Sequence, residues 1–141
     1  MPQVAKGKLG QLEKFGNGEV GSLQVGHAVA LDKDRPGKVV RAHASDLTKM
    51  PAIGFVVLLR DDFAFVKDSG LLEVSEDILA PDSEIEMNAL YWVHPTSAGL
   101  ITKVRPSAED FPDGGLIQSV ALGRNLPRVL HVFVERMGVE V

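Results

Sequence analysis

Residues 53–67 read IGFVVLLRDDFAFVK: two apolar runs, Ile53–Leu59 and Phe63–Lys67, meet at Asp61-Asp62. Runs of this length, rich in Val, Ile, Leu and Phe and cut by turn-forming residues, are the mark of strands joined in a hairpin. The same rhythm continues in both directions. Ala28–Leu31, Val39–Ala44, Gly70–Val74, Ala89–Val93, Leu100–Val104, Leu116–Leu122 and Val129–Glu135 are further strand candidates.

The punctuation between them is consistent. Asp32 to Gly37, Ala80 to Ser83, Thr96 to Gly99 and Phe111 to Gly115 are rich in the residues that set or tolerate turn dihedrals. No convincing helix appears: the best window, Ser69 to Met87, is broken by Pro81, and Ser107 to Asp110 has room for one turn. The expected fold is all-β, a small β-barrel or β-sandwich of about eight to nine short strands.

Before Gly26 the pattern changes. Five of the 14 glycines fall in this stretch and Gly26 closes it as a sixth, and apolar residues are sparse. Glycine disfavours regular elements through backbone entropy. The expectation is an extended, Gly-rich N-terminal arm over residues 1–25 and a single β domain over residues 26–141. Val4, Leu9, Leu12, Phe15 and Val20 are the arm's candidate partner-binding residues, and residues 1–25 are expected to become ordered only against another subunit or the capsid.

The bulk properties exclude several classes of function. The chain has 141 residues, the size of one domain able to bury a real core, with 45% hydrophobic and 24% charged residues. A formal net charge of −4, with no Lys/Arg run, argues against nucleic-acid binding. The chain has no cysteine, which removes disulfides, thiolate metal sites and a cysteine nucleophile. No segment approaches a membrane span, and the polar start shows no signal-peptide core. A role outside a cell would then require release by a route such as lysis.

Sites of chemistry are weakly signalled. Gly16-Asn17-Gly18-Glu19-Val20-Gly21 spells GxGxxG, but no strand precedes it and no helix follows, so it reads as a turn. His27, His43, His94 and His131 are scattered singly, without the close spacing of zinc ligands. His131 falls on the face opposite Leu130 and Val132, and the neighbours Tyr91 and Trp92 face opposite sides of one strand. The acidic stretch from Glu73 to Glu86 lacks calcium-loop spacing. Ser22 and Ser45 lie in polar loops, and no GxSxG is present. No catalytic residue, cofactor or metal is expected.

The order of several short motifs resembles a β-rich module of tailed-bacteriophage virion proteins. The matching residues run Gly26-His27-Ala28-Val29, Ala42-His43-Ala44, Pro51-Ala52-Ile53-Gly54, Leu79-Ala80-Pro81-Asp82, Tyr91-Trp92-Val93, Gly99-Leu100-Ile101-Thr102 and Val120-Ala121-Leu122-Gly123. Asp82 departs from the family's turn glycine, and the Gly-rich arm is not part of the module. The resemblance implies a non-catalytic structural protein of the virion, without catalytic residues. Head decoration is the preferred role, with capsid protein or other virion subunits as partners and a homo-oligomer, a trimer by preference. The short chain has neither long repeats nor a coiled coil, which makes a fibre or tail role second. A carbohydrate-binding module would want more exposed aromatics than 6% of the chain supplies. An enzymatic barrel would want a convergent set of reactive groups.

Overall fold

The computed structural model describes residues 12–74, 85–124, 129–135 and 138–141. The fold is all-β, with two single 3-10 turns at Leu47–Lys49 and Ala108–Asp110 among the described residues. The strands are β1 (Leu12–Asn17), β2 (Ala28–Leu31), β3 (Lys38–Arg41), β4 (Ala52–Arg60), β5 (Phe63–Lys67), β6 (Gly70–Glu73), β7 (Leu90–Val93), β8 (Ile101–Thr102), β9 (Leu116–Ile117), β10 (Ser119–Gly123), β11 (Val129–Val132) and β12 (Val139–Glu140).

The first five strands form one sheet in the order β1-β3-β2-β4-β5, and β1 pairs with both β3 and β5, so the ring of pairings closes. The β1–β3 pair is parallel and the others are antiparallel. The hairpin read at residues 53–67 is β4–β5, with Arg60 opposite Phe63. Asp61 takes a left-handed φ of 56° at its tip, a conformation that Asp tolerates better than most residues. A second, open sheet has the order β6-β11-β10-β7-β8, and β9 pairs with β12 in a short ribbon.

Two hydrophobic cores follow from the period of two along a strand. On β2, Val29 packs inside the ring with Leu23, Val39, Ile53, Val56 and Val66. Its neighbours Ala28 and Ala30 point the other way, toward Tyr91, Val93, Leu130 and Val132 of the second sheet. Ala42, Ala44, Ala52 and Phe55 join that second core. Small side chains on the outside of the ring let the second sheet approach closely. The Ala28-x-Ala30 spacing is therefore the ring's packing face, and Ala42-x-Ala44, just past β3, adds to the same core.

Several elements differ from the sequence expectation. Residues 12–25 are not a free arm. Leu12–Asn17 is a strand paired with β5 over five residue pairs, and Leu23 is buried inside the ring. These backbone bonds and the burial of Leu23 offset the ordering cost of a Gly-rich stretch. The run Leu116–Leu122 is two strands, not one, because Gln118 is fully buried and turns its side chain to β4. There its Oε1 accepts from Ala52 N at 2.7 Å and its Nε2 donates to Ala52 O at 2.9 Å. These features, with β12, bring the described strands to twelve. Residues 42–44 leave the ring after β3. Ala42 accepts from Gly99 N, and Ala44 donates to His94 O and accepts from Leu116 N, so this segment stitches the two sheets together.

Candidate assembly surfaces

The GxGxxG segment is a corner of the ring. Asn17 Oδ1 accepts from Glu19 N at 2.8 Å, closing the turn. A side chain on Gly18 would lie 2.6 Å from Val39 O, so the close approach of β1 to β3 requires glycine there. Glu19 then reaches Arg41, accepting from its backbone N at 2.6 Å and its Nε at 3.1 Å. Burial alone would raise the Glu19 carboxyl, but the bonds and charge from Arg41 outweigh it and hold it below its ordinary value.

His27 sits beside this pair. Its Nδ1 accepts from Gln24 N at 3.0 Å, which places any ring proton of the neutral form on Nε2. Burial, reinforced by the Arg41 charge, holds His27 below its usual value. Gly99 packs against the ring so closely that a Cβ would lie 2.9 Å from it. This group joins the ring to the second sheet.

A cleft of about 290 Å3 opens next to it, lined by Glu19, Asp32, Lys33, Asp34, Arg35 and Lys49 among others. Its charges are mostly spoken for. Glu19 is held by Arg41, Asp32 by Arg35 at 2.7 Å, and Lys33 Nζ by Leu47 O at 2.8 Å. Asp34 and Lys49 remain, one charge of each sign, which gives the cleft no strong preference for a charged ligand.

The other histidines do not converge. His94 Nδ1 accepts from the backbone of Thr96 and Ser97, as the cap of its own turn. His43 Nε2 lies 3.2 Å from Ser45 Oγ. No group of three or more His, Asp or Glu side chains suited to a metal occurs among the described residues.

The outer face of the second sheet is different. Leu71 of β6 stands opposite His131 of β11, His131 opposite Leu122 of β10, and Leu122 opposite Leu90 of β7. One continuous row thus crosses four strands. Leu71 is 54% exposed and Leu90 42%, while the alternate residues Leu130, Val132 and Tyr91 are fully buried beneath. Phe133 continues the row just past β11, and half-buried Trp92 flanks it on β7 while also packing against the second core, its ring 5.4 Å from the Arg105 guanidinium. The sequence places His131 opposite Leu130 and Val132, as found; Tyr91 is fully buried and Trp92 half-buried, and both pack against the second core. The alternation within the four strand candidates carried the signal for the row. What was missing was the strand order that lines the four segments up.

The candidate arm residues do not form one surface. Leu12 is exposed on the outside of β1, Phe15 points inward against the ring's core, and Val20 is exposed in the turn that follows. Val4 and Leu9 lie outside the described residues, as does the turn expected at Ala80 to Ser83. No family model matches this chain, and no curated protein and no solved structure matches it at a significant level.

Proposed function

We propose that this chain is a non-catalytic structural subunit of a bacteriophage particle, a head-decoration protein that docks on the capsid shell through the outer face of its second sheet. The observation that carries the docking role is the Leu71–His131–Leu122–Leu90 row. Apolar patches of this kind, rimmed by polar residues, mark interaction surfaces more often than bare solvent-facing sheet. The resemblance in motif order to virion modules supports the phage particle. We read β1 to β5 as a small barrel whose alanine-faced wall carries the second sheet. Such a body is rigid enough to present a flat face to a shell. The same reading gives the chain a homo-oligomeric state, a trimer by preference, and a place on the virion assembled in the host cytoplasm. A tail or fibre position is the second reading, supported by the same resemblance.

Purified protein mixed with undecorated phage heads should co-sediment with them to a saturating ratio. Leu71→Asp together with Leu90→Asp should abolish that binding while leaving the circular dichroism spectrum and melting temperature close to wild type, since both side chains are on the outer face. Protein that ignores heads but binds purified tails would move it to the tail. Protein that binds neither would end the virion reading.

A further inference from the structure

The ring has an outer face of its own, on the strands β3, β1, β5 and β4. Two rows cross it in register. Arg60 stands opposite Phe63, Phe63 opposite Gly16, and Gly16 opposite Lys38. Beside that row, Leu58 stands opposite Phe65 and Phe65 opposite Lys14. Every charged side chain at these positions is cationic. Lys14 Nζ lies 4.0 Å from the centre of the Phe63 ring, a cation–π contact. Phe63 and Leu58 are each 41% exposed. Asp61 and Asp62 border the face at the hairpin tip, yet no ion pair joins them to Arg60, and among the described residues Lys14 and Lys38 have no carboxylate partner either.

This basic, aromatic face belongs to a chain of net charge −4, so the charges elsewhere are net acidic. One group of exposed carboxylates lies around the β9–β12 ribbon. Glu109, Asp110 and Asp113 are exposed on the loop between β8 and β9, and exposed Glu140 stands opposite Leu116 in the β9–β12 ribbon. Gly115 and Val141 exchange backbone bonds at 3.2 and 2.9 Å, which ties that loop to the ribbon. Val139 is half exposed beside these carboxylates. No ion pair links this end to Lys14, Lys38 or Arg60 within one chain.

We infer that copies of this chain associate head to tail, the basic face of one (Lys14, Lys38, Arg60, Phe63) against the acidic end of the next (Glu109, Asp110, Asp113, Glu140). A two-fold contact centred on either patch would set like charges against each other, whereas a head-to-tail contact pairs opposite charges and closes into a ring when the rotation allows. The inference rests on the proposed function only for its expectation of a homo-oligomer. It uses surfaces separate from the Leu71 row, which stays free for the shell.

The test is self-association of the full chain, followed by light scattering and sedimentation over a range of concentration and salt. Wild type should form an oligomer larger than a dimer that weakens by roughly tenfold or more in molar salt, because screening shortens the reach of exposed charges to about 3 Å. Lys14→Glu with Arg60→Glu should be monomeric, and so should Glu109→Lys with Asp113→Lys. Mixing the two variants should restore association, since each then offers the other a complementary face. All four positions are exposed, and circular dichroism checks that each variant is folded. A monomeric wild type, an oligomer indifferent to salt, or a mixture that stays monomeric would overturn the inference. Head binding is scored separately, so an intact charge-swap result with no head binding removes the decoration role and leaves this interface standing.

Discussion

Gly37 and Gly99 hold nearly the same left-handed backbone, with φ of 85° and 80°, but in different company. Nothing lies within 4 Å of a Cβ built on Gly37, whereas one on Gly99 would press on the His27 ring at 2.9 Å. Gly37→Ala should therefore cost about 1 kcal/mol, the backbone penalty alone. Gly99→Ala should cost about 2 to 3 kcal/mol, because the ring must also shift. Urea unfolding of the two variants compares them directly, and equal losses would mean that His27 moves aside freely. His27 also sets a pH dependence. Its folded form takes up a proton below the usual value near 6.5, so between those two points the unfolded chain binds more protons. Stability then falls as the pH drops below about 6.5. Glu19 acts in the same direction at lower pH: its contribution is present above about 4.5 and is lost as the pH falls through its lowered folded value. His27→Gln should flatten the fall in the urea midpoint between about pH 7 and 5.5; an unchanged slope would assign the fall to other groups.

Among the elements, Gln118 replaces a strand partner with a side chain. Its amide satisfies both backbone groups of Ala52 at the start of β4, in a fully buried setting. Gln118→Leu keeps the volume but leaves an N–H and a C=O unpaired, and should cost about 2 to 4 kcal/mol in thermal or urea unfolding. A loss below about 1 kcal/mol would mean that water reaches Ala52. The same residue explains what the sequence hid. Val, Ile and Leu flank Gln118 on both sides, so the run 116–122 looks like one strand. Only tertiary contact with β4 divides it. β1 was hidden for another reason. Of the positions that alternate inward, Glu13 and Asn17 are polar and only Phe15 is apolar, and the glycines serve close approach to β3 rather than flexibility. The β4–β5 hairpin, the turns at residues 32–37 and 96–99, and the single turn at 108–110 were legible because local chemistry decides them. The apolar row and the basic face were not, because each is assembled from strands far apart in the chain.

At the scale of the molecule, a wall shared by two cores makes the halves dependent on each other. The strand β2 presents Val29 to one core and Ala28 and Ala30 to the other. Neither sheet can lose this strand and keep its own interior. Heating should give one calorimetric transition with matching van't Hoff and calorimetric enthalpies. Two resolved transitions would mean that the ring and the open sheet melt separately.

The alanine wall also limits how this chain can change over time. Ala28, Ala30, Ala42, Ala44 and Ala52 are essentially without solvent exposure and face a sheet already in contact. Any of them enlarged by even two carbons pushes the layers apart, and any shrunk to glycine opens a gap that a neighbour cannot fill. Sequence drift should concentrate on the two outer faces, where side chains can be exchanged without disturbing either interior. A lineage could therefore acquire new docking partners by repainting the outside of an interior that stays nearly fixed.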